Sequence, residues 1–423
     1  MILITGCGTE DQVQNLTPEG QWLKDHIRVV DTLNPRDSDL SDLNYLTERV
    51  AGARIVGIGE ATHGTSQFFK MWHRIFKALV LSSGFRLIIM EWDFIPFYKM
   101  NRFIVHNQGD IQTWFYGRWC QETVDLIEWM HDYNLDKPEN ERIWLLGCDM
   151  RSYRDHISDI LEVTETVDVN LFNRLQSLYR ELNSYESGFT YRDNVPENQK
   201  ERIRSDIHEA RQAIIDKQEV IISRIGEWEY DFLQRGALVV IQSEDFYANG
   251  GDSPTIRDRH MADNIRWLCQ RFGNARTVTT SHNEHLAYRV RDDLYNIEWN
   301  STGFYLREYY GSDYINIGQT FYQGSFHCYW GNGTVGPPLE GSYEYFFEMA
   351  KTPLFYLDLR ILDTGPPGAW WIEGPRLFRS IDERFTAETI DEDTFCNRPL
   401  AEDFDIVIYM ESSSPYNYAQ GLR

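Results

Sequence analysis

Six side chains in this sequence have the chemistry to move protons or polarise a carbonyl: Glu60, His63, Glu91, Asp149, His282 and His285. A neutral imidazole can take a proton from water while a carboxylate orients the ring. A second imidazole pair or an arginine then stabilises the oxyanion that forms. The same residue types can instead bind a divalent metal that supplies hydroxide, and their spacing alone does not choose between the two. His63 is followed four residues later by Gln67, which is not the H-E-x-x-H pattern of zinc hydrolases. Read singly, Glu60 is also a plausible helix cap and His63 a solvated turn residue; the case for a site rests on their convergence.

The elements that must bring them together are strands. Arg54 to Ile58 is a short apolar run with β-branched residues, the composition of a strand covered on both faces. Gly57 and Gly59 let its backbone pass close to neighbours, and Glu60 and His63 follow in a turn that opens a helix over Ser66 to Leu81. Arg86 to Met90 is a second strand ending at Glu91, and Arg142 to Cys148 a third ending at Asp149. Ala275 to Thr280 is a fourth, running into His282 and His285; further strands are expected over Tyr314 to Thr320 and Asp405 to Tyr409. In an open parallel sheet the carboxyl ends of the strands line the ligand crevice, so all six candidates reach one edge. His282 and His285 share a face if the turn that carries them is helical.

Residues 155–246 follow a different grammar, polar with apolar positions at helical spacing and no convincing strand. Leu171 to Leu182 and Gln199 to Leu233 read as long helices, the latter broken once. The expected organisation is therefore an α/β core in two halves, 1–154 and 247–423, divided by a helical insertion at 155–246. The fold class is α/β: a mostly parallel central sheet flanked by helices, with the insertion acting as a cap over the crevice. Asn249 to Pro254 is the loop at the second boundary, and Gly324 to Gly341 and Thr364 to Gly374 read as long loops.

A chain of 423 residues buries a full core without difficulty, and 42% hydrophobic and 14% aromatic residues fit an enzyme with an apolar pocket. Its net charge of −24 repels phosphate backbones and anionic membranes, so the expected partner is a small-molecule substrate and not nucleic acid or membrane. Six scattered cysteines without C-x-x-C pairs imply free thiols and a cytoplasmic location. Ile4-Thr5-Gly6-Cys7 superficially matches a lipoprotein cleavage site but lacks the basic start and apolar stretch that one needs. No run approaches the ~20 apolar residues of a membrane span.

Other candidates are weaker. Gly57, Gly59 and Gly64 do not complete a nucleotide-binding fingerprint, and no G-x-S-x-G elbow surrounds Thr65 or Ser66. His26, His106, His131, His156 and His208 are expected on the surface. A structural reading is favoured for His73, His260 and His327. Trp114, Tyr116, Trp119, Tyr329 and Trp330 are expected in the core.

Gly59-Glu60-Ala61-Thr62-His63-Gly64-Thr65-Ser66-Gln67-Phe68-Phe69 resembles the opening motif of the erythromycin esterase family. So do Met90-Glu91, Gly147-Cys148-Asp149-Met150, Arg257-Asp258 with Met261-Ala262-Asp263-Asn264, and Ser281-His282-Asn283-Glu284-His285. The resemblance runs from about residue 40 to the end. It implies an esterase or lactonase that hydrolyses a macrolactone without an obligatory metal or other cofactor, with His63 as the base that activates water. Glu60, Glu91, His282 and His285 complete the implied catalytic set. Trp72, Arg74, Asp149 and Glu284 are candidate substrate-binding groups. Two of these positions depart from the family pattern. Trp72 replaces a usual arginine, leaving Arg74 two positions further around the helix, and Glu284 replaces a small residue. Such changes fit either a different ester or a biosynthetic enzyme that uses the same site for elimination, cyclisation or acyl transfer.

Overall fold

The computed structural model describes residues 16–114, 120–251, 254–292, 297–362, 369–389 and 391–419. The apolar runs become nine strands of one sheet: β1 (Arg28–Val29), β2 (Ile55–Glu60), β3 (Leu87–Asp93), β4 (Trp144–Asp149), β5 (Thr277–His282), β6 (Tyr314–Cys328), β7 (Gly331–Val335), β8 (Leu354–Asp358) and β9 (Ile406–Ser413). Their order is β1-β8-β9-β6-β2-β5-β3-β4, with β7 folded back on β6 as a hairpin. From β9 to β4 every neighbouring pair is parallel, while β8 and β1 close one edge antiparallel. This is the expected α/β fold with a mostly parallel sheet. Strands β2, β4 and β5 are buried along their whole length, which is why they read as continuous apolar or small runs.

β5 enters the sheet between β2 and β3, so strands consecutive in sequence are separated in space. Its register sets Glu60 beside His282 and Gly59 beside Ser281, while Thr280 lies beside Met90. A bulge between Met90 and Asp93 then brings Asp93 beside Asp149. The Ser66–Ser83 helix covers this end of the sheet with Phe68, Met71, Trp72, Ile75, Phe76 and Leu79, spaced three or four apart, and stops at Gly84 in the left-handed region (φ 67°). Gly59 is required by proximity, since a Cβ there would lie 2.1 Å from the Asn283 side chain. Gly64 is required more strongly, because its Cβ would lie 1.9 Å from the His327 carbonyl oxygen.

Six helices, from Tyr153–Val167 to Glu227–Ala248, occupy the insertion. They enclose a core of their own around Tyr153, Ile157, Leu175, Tyr179, Ile207 and Ala237. The stretch read as one helix with one break has two: at Lys217 and at Gly226, whose φ of 88° favours glycine. Phe232 fastens the insertion to the α/β core by stacking on Tyr98 at 3.8 Å.

Several local expectations are corrected. Part of Gly324 to Gly341 is the β6–β7 hairpin, and Tyr329 and Trp330 at its tip are 71% and 70% exposed, outside any core. His156 is fully buried and its Nδ1–H donates to the Ser152 carbonyl at 2.8 Å. Tyr116 and Trp119 lie outside the described residues, as do the side chain of Trp114, residues 363–368 and Cys7. No disulfide links any of the five described cysteines, and among the described residues no helix is long and apolar enough to cross a membrane.

Candidate active site

A cavity of about 320 Å³ opens at the carboxyl ends of β2, β3, β4 and β5. Glu60, His63, Glu91 and Asp149 line it, joined by Trp72, Asp93 and Arg151. Glu383 and Tyr416 are on its wall as well. Among the described residues none between 155 and 246 lines it, so the insertion stands beside the cavity and does not wall it.

Glu60 is the last residue of β2, 3% exposed, and His63 sits in the turn that follows. The His63 Nδ1–H donates to Glu60 Oε1 at 2.7 Å, which leaves Nε2 as the basic nitrogen of a cavity-lining side chain that is 39% exposed. Burial works against charging this ring. The hydrogen bond and charge of Glu60, with Glu91 and Glu383 behind them, outweigh burial and lift His63 from 6.5 to about 9. Burial in turn raises Glu60, against the pull of His63. Glu60 Oε2 is buried with no hydrogen-bond partner among the described residues.

A second network backs this pair. The buried Arg257 guanidinium donates to Asp149 through Nε (3.2 Å) and Nη2 (2.7 Å), to Glu91 Oε1 through Nη2 (2.5 Å), and to His285 Nε2 through Nη1 (3.0 Å). Glu91 Oε2 accepts from Ser281 Oγ (2.5 Å) and the His282 backbone N–H (3.0 Å). Burial pushes Glu91 up, but His285, Arg257 and His63 together hold it well below the usual carboxylate range. Asp149 also accepts from Arg151 Nε at 3.0 Å, and against burial the two arginines hold it at about 2. Both carboxylates are thus fixed anions with their lone pairs largely occupied, which leaves Asp149 little capacity to bind a substrate. Asp93 differs: burial, then the charge of Asp149, push it up to about 7.

The two histidines of the β5 turn do not share a face. His282 precedes the short Asn283–Leu286 helix; its Nε2–H donates to the Ala61 carbonyl at 3.2 Å and its Nδ1 accepts from the Glu284 N–H at 3.5 Å. Burial lowers it to about 4, so it is a neutral ring packed 5.3 Å from His63. His285 turns the other way, its Nδ1–H donating to Asp258 Oδ1 at 2.7 Å. Burial opposes its charge, yet Asp258 and Glu91 raise it. Neither ring lines the cavity, and their contacts orient other groups.

Two substrate-binding expectations are corrected. Arg74 is fully buried on the far side of its helix, paired to both Asp42 oxygens at 2.9 Å, because two positions along a helix turn a side chain through most of a half-circle. Glu284 faces away from the cavity and accepts from Ser380 Oγ at 2.5 Å. Trp72 does line the cavity, 3% exposed, with its indole N–H donating to the Gly59 carbonyl at 3.3 Å. Arg257, Asp258, Asp93 and Arg151 were not among the residues singled out from sequence for the site. The first two lie on a helix and not at a strand end; the pairing of Asp93 with Asp149 depends on a bulge. Among the described residues no group of three His, Cys, Asp or Glu side chains is placed to hold a metal ion.

The crystal structure of a succinoglycan biosynthesis protein superposes with a TM-score of 0.80 over 94% of this chain and 97% of that one, at 24% identity. That of a mutant erythromycin esterase in its open conformation does so with a TM-score of 0.67 over 91% and 97%, at 18% identity. By sequence, the chain is 22% identical to the erythromycin esterase type II of Escherichia coli over 72% of its length and 77% of the relative's. It is 21% identical to the putative hydrolase YbfO of Bacillus subtilis (strain 168) over 93% and 91%. The model of the family described as erythromycin esterase matches residues 80–413, and with a sheet edge built as above the chain belongs to the erythromycin esterase family.

Proposed function

We propose that this protein is a hydrolase that opens an ester or lactone of a small molecule with a water activated by His63. The carrying observation is the Glu60–His63 pair: a carboxylate fixed on Nδ1 at 2.7 Å in a ring that lines the cavity, which keeps the Nε2 lone pair for a proton. In the base form, His63 Nε2 takes a proton from water as the water oxygen bonds to the ester carbon. The carbonyl oxygen becomes an oxyanion. Arg257 is committed to four acceptor contacts, so the guanidinium available to that oxyanion is Arg151, which lines the cavity and is 46% exposed in its side chain. Collapse breaks the carbon–oxygen bond. The leaving alkoxide takes a proton from His63 or from Asp93, which keeps one up to about pH 7. Trp72 fills the place of the family arginine with an apolar wall, which moves the charged donor from the Ser66–Ser83 helix to the residue two beyond β4.

Reaction of wild type and His63→Ala with a panel of macrolactones and simple esters in oxygen-18 water tests this reading. One heavy oxygen in the opened product of the wild type, and none from a folded His63→Ala protein, is expected. Turnover that releases product without heavy oxygen refutes hydrolysis and favours the elimination, cyclisation or acyl-transfer alternative.

A further inference from the structure

A second cavity, of about 440 Å³, lies where the insertion meets the core. Arg204, His208 and Arg235 reach it from insertion helices, and His260, Arg266 and Trp267 from the Pro254–Arg271 helix. Its three carboxylates are matched locally. Glu244 accepts from Arg204 at 3.1 and 3.2 Å and from the Tyr191 hydroxyl at 2.6 Å. Asp245 faces His260 Nε2 at 2.8 Å, and Asp263 accepts from the Tyr309 hydroxyl at 2.8 Å and pairs with Arg266 at 3.3 Å.

Arg235 is the exception. Only 8% exposed, it has no carboxylate within 4.0 Å among the described residues, although the chain carries 65 acidic residues. Its Nε and Nη2 donate to the neutral Asn264 Oδ1 at 3.1 and 2.6 Å, and its guanidinium lies over the Trp267 ring at 5.2 Å. Asn264 can do no more, since its amide N–H groups are used on the Cys148 carbonyl (2.8 Å) and Gln242 (3.1 Å). Nη1 of Arg235 has no partner among the described residues. A buried guanidinium hydrogen-bonded only to a neutral amide is costly, and with Nε and Nη2 holding Asn264, its outer edge, Nη1 and the second Nη2–H, is the fork that suits phosphate oxygens.

We propose that this cleft is an oxyanion site, taking the phosphate group of a small phosphorylated molecule between Arg235 and Arg266. The cavity is larger than phosphate alone requires, leaving room for an organic portion against Trp267. Because its walls come from both insertion and core, an occupied site fastens one to the other and raises stability by mass action.

The test uses inorganic phosphate as the probe at constant ionic strength, with chloride as the balancing ion, followed by calorimetric titration and thermal unfolding. Wild type is expected to bind saturably and to unfold at higher temperature as phosphate replaces chloride. Arg235→Met is expected to bind about tenfold or more weakly, the loss of a charge-assisted donor pair. Arg266→Gln, on the more exposed rim, tests the same site without disturbing the buried position and is expected to weaken binding severalfold. No saturable binding by wild type, an equal response to chloride, or undiminished binding by a folded Arg235→Met overturns the proposal.

Discussion

Replacing Glu60 by glutamine should lower the ionisation of His63 while leaving its orientation intact. The glutamine carbonyl can still accept the Nδ1–H at the 2.7 Å separation of the native pair, so the ring stays in place and only the charge is lost. That charge, with the hydrogen bond, is what overcomes burial and lifts His63 from 6.5 to about 9. At 1.36 kcal/mol per pH unit the displacement is worth ~3 kcal/mol; with the ring 39% exposed, solvent screening reduces this to ~1.5 kcal/mol. A drop of at least about one pH unit is therefore expected in Glu60→Gln. Histidine-selective NMR titration, with the His63 resonance assigned from its loss in His63→Ala, reads it directly and needs no substrate. The sign carries over to stability. A raised folded-state value means that the contribution of the pair is complete below pH ~6.5 and is lost as pH rises through about 9, so wild type should lose ~1.5 kcal/mol across that window relative to Glu60→Gln. An unchanged His63 titration in a folded Glu60→Gln protein refutes the account of the pair.

Under the proposed mechanism the same ionisation would set the pH dependence of turnover. Because His63 must be neutral to accept a proton, kcat/KM for a cleaved ester should rise about tenfold per pH unit below a plateau near pH 9; a profile flat from pH 6 to 9 contradicts His63 as the base. Arg257→Met leaves Glu91 and Asp149 buried without their shared counter-charge. It should cost ~3–5 kcal/mol, measured by denaturant unfolding, and a change under ~1 kcal/mol would show that the network is not organised around that guanidinium. Arg151→Met removes one of the two cations on buried Asp149, so it should cost some stability, less than Arg257→Met, and lower kcat by ~10²-fold or more; unaltered kcat rules out Arg151 as the oxyanion donor.

Strands β2, β3 and β4 could be read from the sequence because each is a short apolar run that stops at an ionisable residue, and β5 because its β-branched run leads into His282. Burial on both faces leaves nothing else for such a run to do, and this placed Glu60, Glu91, Asp149 and His282 at one edge. The helical character of residues 155–246 was legible for the complementary reason, long 3.6-residue periodicity with no strand; Leu171 to Leu182 falls within Val169–Asn183, whereas the stretch read as ending at Leu233 continues to Ala248. Hydropathy does not encode which strands are neighbours. The insertion of β5 between β2 and β3 follows from backbone pairing over a long separation in sequence, and it alone sets His282 beside Glu60. Side-chain direction within turns is equally non-local, so His282 and His285 diverge although their spacing allowed one face, and Arg74 is spent on Asp42. Arg257 stood in a recognisable motif, but its role as a hub, like the position of Arg235 among neutral partners, was not legible, since an arginine in a helix reads the same whether it meets water, two carboxylates or a neutral amide. Apolar runs in the chain determined where ionisable residues could gather, because burial is local to each strand; tertiary packing decided which of their charges are cancelled, because pairing joins residues distant in sequence.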